Sequence, residues 1–271
     1  LHPRVRRQRQ MCIRDRGNQM FEYCRFRDLM ESGHDEVYLF YDHRRLKQHN
    51  GLRLSDCFEL ELPSCPWGVK LVVWGLKICR AVGVLKRLYD DEKPEAVLID
   101  DYSQHRRFIP NARRYFFFRQ FLAELQSGFV QMIRAVDYPV SVHVRRGDYL
   151  HPSNSSFGLC GVDYFQQAIA YVRKKRPDAR FFFFSDDMEW VRENLWMEDA
   201  VYVEHTELLP DYVDLYLMTL CRGHIISNST FSFWGAYLAV DGNGMKIYPR
   251  RWFRDPTWTS PPIFSEEWVG L

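Results

Sequence analysis

The sequence predicts an α/β protein built on a parallel, doubly wound sheet. Three observations carry that prediction. Short apolar runs alternate with helical patterns through the second half of the chain, which points to parallel strands joined by helical crossovers. One run, Phe181-Phe182-Phe183-Phe184, contains no polar residue and reads as a fully buried strand. Two polar motifs directly follow apolar runs, as loops leaving strand ends in an open α/β sheet do, and such loops are where these sheets hold their ligands.

The elements follow in order. Residues 1–16 carry Arg4, Arg6, Arg7, Arg9, Arg14 and Arg16, which break every apolar period, so neither a core strand nor an amphipathic helix can be drawn there. This segment reads either as a natural basic arm or as sequence foreign to the frame, because Met11-Cys12-Ile13-Arg14-Asp15-Arg16 resembles a translated sequencing adapter. From Gln19 onward Met20, Phe21, Cys24, Leu29 and Met30 share a helical face, and Gly33 is placed to end that helix. Val37–Tyr41 reads as a short strand, Asn50-Gly51 as a turn, 71–88 as a helix, 96–99 as a strand and 112–133 as one long helix.

Past Tyr138 the alternation becomes regular. A strand over 140–144 precedes a loop; Asp163 can cap a helix whose Phe165, Ala168, Ile169 and Val172 face inward, and Pro177 closes it. The Phe181–Phe184 strand, a helix, Val201-Tyr202-Val203, a helix over 211–221, His224-Ile225-Ile226 and Lys246-Ile247-Tyr248 complete the series.

At 271 residues, with 46% hydrophobic and 16% aromatic content, the chain can bury one large core or two modest ones. A net charge of +2 argues against nucleic acid as a partner, so the positive charge that matters is local. Seven dispersed cysteines without a CxxC argue for a reducing compartment and against a structural metal. No apolar stretch reaches the roughly 18 residues of a membrane span, nor does the start resemble a signal peptide, so the expected location is cytoplasmic.

The chemistry concentrates in two strings. His143-Val144-Arg145-Arg146-Gly147-Asp148-Tyr149 brings two arginines to a strand end. A guanidinium offers planar donors matched to phosphate oxygens; adjacent residues leaving a strand point apart, so one would meet a diphosphate while the other braces the loop. An arginine pair salt-bridged at a sheet edge is the competing reading. Ser227-Asn228-Ser229-Thr230-Phe231-Ser232 opens a helix, whose first N–H groups and partial positive charge suit an anion. Ser229 or Thr230 would contact phosphate, Phe231 would pack beside a sugar or base, and plain N-capping is compatible with both. Asp186-Asp187 admits three readings: acceptors for a guanine edge, ligands of a divalent ion, or a helix cap. His143 and His224 lie in or beside apolar strands, where a neutral, hydrogen-bonded ring is expected, and His205 offers no recognisable catalytic arrangement.

Together the two strings resemble the donor-binding motifs of the α-1,2-fucosyltransferases, family 11 of the glycosyltransferases. The resemblance covers roughly residues 17–253. It implies a GT-B architecture, two Rossmann-like domains facing across a cleft: 17–135 on the acceptor side and 136–271 binding GDP-fucose. It implies inverting transfer of L-fucose to the 2-hydroxyl of a terminal galactose in a glycan, without a metal or other cofactor. His143, Arg145, Arg146, Asp186, Asp187, Asn228, Ser229, Thr230 and Phe231 would then hold the donor, with Arg145 or Arg146 opposing charge on the departing phosphate. Asp148 is a candidate base; transfer of the proton to the departing phosphate is the alternative.

The family's N-terminal loop ends in Gly-Asn-Gln-Met-Phe, which matches Gly17-Asn18-Gln19-Met20-Phe21 and gives Asn18 a role at the reacting groups. The family's Gly-Tyr-Trp-Gln segment corresponds to Asp101-Tyr102-Ser103-Gln104, so Tyr102 and Gln104 would contact the acceptor, although Asp101 and Ser103 depart from the pattern. Animal enzymes of the family are membrane-anchored in the Golgi; this sequence resembles a bacterial-type version acting on surface glycans, with peripheral association at the inner membrane face. A chain lacking the family's first strand would instead be a non-catalytic GDP-sugar binder.

Overall fold

The computed structural model describes residues 16–33, 37–39, 54–81, 103–125, 128–151, 156–204 and 210–271. The chain divides into two compact units, Leu1–Phe117 and Phe118–Leu271. The expected strand at 96–99 and the turn at Asn50-Gly51 lie outside the described residues, as do residues 1–15, Tyr102 and His205.

The first unit contains α1 (Arg16–Glu31), the single turn α2 (Leu54–Cys57) and α3 (Trp67–Ala81). Gly33, at φ 85°, ends the α1 segment in the left-handed region that glycine adopts without strain. Three expectations need correcting. Gly17-Asn18-Gln19 does not form a loop but the first turn of α1. The buried face of α1 is Met20, Phe21, Tyr23 and Cys24, whereas Leu29 is only half-buried and Met30 is exposed. Val37–Leu39 has no regular strand conformation.

The long helix expected over 112–133 is instead three short pieces: a 3₁₀ turn at Ala112–Arg114, α4 (Gln120–Ala123) and α5 (Gly128–Arg134). The Tyr115-Phe116-Phe117-Phe118 run has poor helix propensity. Its rings find separate partners, Phe116 packing on Phe58 and Phe118 on Tyr216. The division between the two compact units falls within this aromatic run. Phe121 meets Tyr212, which ties α4 into the second unit.

The second unit is a six-stranded sheet in the order β3-β2-β1-β4-β5-β6, with every pairing parallel. Its elements are β1 (Tyr138–Val144), α6 (Val162–Lys175), β2 (Ala179–Ser185), α7 (Met188–Asn194), β3 (Val201–Tyr202), α8 (Tyr212–Leu220), β4 (Gly223–Ile225), α9 (Thr230–Tyr237), β5 (Lys246–Tyr248) and β6 (Val269–Gly270). Strand order reverses between β1 and β4, which makes the crevice beyond their carboxyl ends the topological switch point of the fold. Pro139 is tolerated in central β1 because β4 pairs only from Val140 onward.

Alternation along the strands sorts side chains to two buried faces. Val140, Val142, Val144, Phe181, Phe183, Ile225 and Ile247 join Phe165, Ala168, Ile169 and Val172 of α6 in one core. Each phenylalanine of β2 is completely buried, contributing about 2 kcal/mol of apolar burial. On the other side α8 packs against α9, where a Cβ on Gly235 would stand 3.0 Å from Met218. The four inward positions of α6 are as expected, but its N-cap is Gly161; Asp163 lies in the first turn, where its negative charge is favourable beside the positive end of the helix dipole. No described helix is long and apolar enough to cross a membrane.

Candidate functional site

Parallel pairing aligns the ends of three strands. Val144 of β1 is in register with Ser185 of β2, so Arg145-Arg146 and Asp186-Asp187 leave the sheet side by side. Ser185 Oγ donates to the Val144 carbonyl at 2.9 Å and accepts from the Asp187 N–H at 3.0 Å, which locks the two exits together.

The charges then pair. Arg145 Nη1 lies 3.3 Å from Asp186 Oδ2, and the Arg146 backbone N–H donates to Asp186 Oδ1 at 2.8 Å. Arg146 Nε donates to Asp187 Oδ2 at 3.1 Å, while its guanidinium lies 3.9 Å over the Trp190 ring. The other oxygen of Asp187 accepts from the Trp190 N–H at 3.2 Å, so Asp187 is the N-cap of α7. Of the three readings of this acidic pair, capping is thus observed for Asp187, and Asp186 braces the arginine loop. Among the described residues no group of three His, Cys, Asp or Glu is placed to hold a metal ion.

Across the switch point β4 leads into α9. Ser229 is the N-cap, with extended φ −128° and ψ 128°, but its side chain makes no capping hydrogen bond. The helix start is fixed from within instead, by Ser232 Oγ donating to the Ser229 carbonyl at 3.0 Å. Ser229 and Thr230 are both buried, and Phe231, half-buried, places its ring 5.7 Å from that of His143. Helix starts leave first-turn N–H groups without intrahelical acceptors, which gives this end its anion-binding chemistry.

Two histidines stitch β1 to β4. His143 Nδ1 and Ser227 Oγ are 2.9 Å apart, and Ser141 Oγ and His224 Nδ1 are 2.8 Å apart. Burial holds the His143 pKa well below its ordinary value; the Asp186 carboxylate pulls it up and the Arg145 guanidinium pushes it down. The ring is therefore neutral at physiological pH, as expected for a histidine in an apolar strand.

Asn228 serves the scaffold. Its Nδ2 donates to the carbonyls of Gly158 at 2.6 Å and Trp252 at 2.8 Å, and its Oδ1 accepts from Cys160 Sγ at 3.5 Å. Tyr149 Oη donates to the Asn228 carbonyl at 3.1 Å, and Tyr164 Oη to the Ile226 carbonyl at 2.6 Å. Sequence reasoning missed Tyr149, Tyr164 and Trp190 as positioning residues. Tyr149 stood inside the motif; the other two carried no local signal.

In the first unit the structure brings two predicted residues together. Gln104 Nε2 donates to Asn18 Oδ1 at 2.6 Å across 86 positions of sequence. Asn18 is buried in α1, and the neighbouring Ser103 holds φ 47°, a left-handed conformation uncommon for serine. The backbone of Asp148 lies in a 3₁₀ turn over Gly147–Leu150; its side chain lies outside the described ones, as does Tyr102.

Comparison with known proteins gives a consistent set of likenesses. Residues 111–271 match the family model described as Glycosyl transferase family 11. The chain is 36% identical over 134 residues to the O-antigen biosynthesis glycosyltransferase WbnK of Escherichia coli, covering 48% of this chain and 44% of that protein. It is 37% identical over 136 residues to an Alpha-1,2-colitosyltransferase of Escherichia coli, covering 49% and 47%. It is 34% identical over 142 residues to Galactoside 2-alpha-L-fucosyltransferase SEC1 of Bos taurus, covering 49% and 38%. The matches thus span less than half the length of these relatives.

Proposed function

The chain belongs to glycosyl transferase family 11, and from that premise we propose that it transfers L-fucose from GDP-fucose to the 2-hydroxyl of a terminal galactose in a glycan. The observation that carries this reading is the arrangement at the switch point: Arg145 and Arg146, oriented by Asp186 and Asp187, at the end of β1, with the hydroxyl-rich start of α9 beyond neighbouring β4. A dianionic diphosphate is the ligand class such a site attracts.

The two arginines take different tasks in this reading. Arg146, flat on Trp190 and held by Asp187, braces the loop. Arg145, the more exposed of the two, meets the β-phosphate, with the α9 N–H groups, Ser229 and Thr230 beside it. The galactose O2 attacks the anomeric carbon from the face opposite GDP. The bond from that carbon to the β-phosphate oxygen breaks, and GDP leaves with the electron pair. The acceptor proton goes to Asp148 or to the departing phosphate. Charge growing on that phosphate is what Arg145 stabilises, a contact strongest in the transition state. No metal enters this scheme, so transfer persists in EDTA. We assign the first unit, through Asn18, Tyr102 and Gln104, to the acceptor in a two-domain GT-B arrangement, and the transfer to the cytoplasm.

Incubation with GDP-fucose and lactose in EDTA, followed by mass spectrometry and NMR, tests the reading. The expected product carries fucose α-1,2-linked to galactose. One relative is named for colitose, so a colitosyl donor runs in parallel. GDP binding without transfer to any galactoside would favour a non-catalytic GDP-sugar binder, and absence of GDP binding would remove the site assignment altogether.

A further inference from the structure

Tyr149 touches both halves of the anion site. It lies half-buried in the 3₁₀ turn Gly147–Leu150 that follows the arginine pair. The guanidinium carbon of Arg145 stands over its ring, 5.8 Å from the centroid, within reach of a cation–π contact. Its Oη donates to the Asn228 carbonyl at 3.1 Å, one residue before the Ser229 N-cap of α9. One side chain thus spans from the cation at the end of β1 to the helix start beyond β4.

Each point that holds this ring is itself fixed. Asn228 is buried, and its amide donates to the Gly158 and Trp252 carbonyls. The ring also stacks on Phe157, with centroids 4.9 Å apart and planes at 23°. Phe157 pairs with Phe253 in an antiparallel bridge, and the Arg254 N–H donates to the neighbouring Ser156 carbonyl at 2.9 Å. Asp186, from the end of β2, meets Arg145 as well. Strands β2 and β4 flank β1, so the guanidinium is held from both neighbouring strand ends.

We propose that Tyr149 is a positioning residue that sets the span between Arg145 and the first N–H groups of α9, a role that rests on the assignment of this site to GDP. A guanidinium and a helix start hold one phosphate group together only when their separation suits its oxygens, because charge-assisted hydrogen bonds are short and directional. Arg145 meets the β-phosphate, with the first turn of α9 beside it. GMP has no β-phosphate. Tyr149 therefore bears on GDP affinity and not on GMP affinity, whereas a residue that only maintains the fold would bear on both.

The test is calorimetric titration of the full chain with GDP and with GMP. Tyr149→Phe keeps the ring and loses the bond to Asn228. Its GDP affinity should fall about tenfold, the scale of one hydrogen bond, while its GMP affinity changes less than about twofold. Tyr149→Leu also loses the ring face that meets Arg145, and should lower GDP affinity to that of Arg145→Ala. In an Arg145→Ala background Tyr149→Phe should cost less than about twofold, since the group it positions is gone. Unchanged GDP affinity in Tyr149→Phe, an equal loss for GDP and GMP, or losses that multiply in the double variant overturn the proposal. Unaltered protein that does not bind GDP removes the GDP site itself, a different failure from a site that binds GDP and ignores Tyr149.

Discussion

Gly147 and Asp186 meet so closely that no side chain fits between them: a Cβ on residue 147 would stand 2.7 Å from Asp186 Oδ2 and 3.1 Å from its Cγ. A glycine in a loop leaving a strand lets another group approach the backbone closely. The group that approaches it is a carboxylate of the protein itself, the one that meets both Arg145 and the Arg146 backbone.

Gly147→Ala should therefore push Asp186 off both of its donors. GDP affinity should fall about tenfold, the scale of one hydrogen bond to a charged group. Titration calorimetry with GDP decides this; unchanged affinity would mean that the pairing of Asp186 does not shape the site.

Arg145→Ala and Arg146→Ala should differ in kind. The first should lower kcat at least about 10²-fold with little change in Tm, the scale of a lost electrostatic contact in the transition state. The second should also cost about 1–2 kcal/mol of stability, since it removes the Asp187 pair and the Trp190 stack. Steady-state kinetics alongside thermal melts separate the two, and near-normal turnover in both would refute the phosphate assignment.

Because its folded-state pKa is depressed, His143 makes stability depend on pH in a definite direction. Above the unfolded-state pKa of about 6.5 the ring is neutral in both states and contributes no slope. As pH falls below that value the unfolded chain takes up a proton that the buried ring refuses, so stability declines by up to about 1.4 kcal/mol per pH unit. Denaturant melts between pH 7 and about 5 should show a shallower slope in His143→Gln; identical slopes would mean that the buried ring accepts its proton freely.

Asn228→Ala should cost about 2–3 kcal/mol, because the Gly158 and Trp252 carbonyls lose their donor. Asn228→Asp should not rescue it, as an ionised carboxylate has no N–H to give. A Tm equal to that of the parent in both variants would show that the amide is replaceable by water.

Much of the second unit was legible because period and composition there agree. The apolar runs at 140–144, 181–184, 224–226 and 246–248 all correspond to strands, and the inward positions of α6 are those its spacing indicates. Reading failed where local propensity and tertiary contact diverge. The 112–133 segment holds helix-compatible residues, yet its aromatic run is drawn into separate contacts that a continuous helix would not satisfy.

The site divides along the same line. Residue type and order by themselves determined that two arginines, two aspartates and a hydroxyl-rich helix start stand at strand ends of a parallel sheet, because such a sheet delivers each strand's carboxyl end to one edge. Which partner each group takes was decided only by the tertiary structure. The register of β1 on β2 sets Asp186 against Arg145 and Asp187 against Arg146, and the packing of Gly158 and Trp252 against Asn228 gives that amide a scaffold role. Hydrogen bonds and ion pairs act over about 3 Å between residues 40 or 70 positions apart in the chain, a distance that spacing along the sequence does not encode.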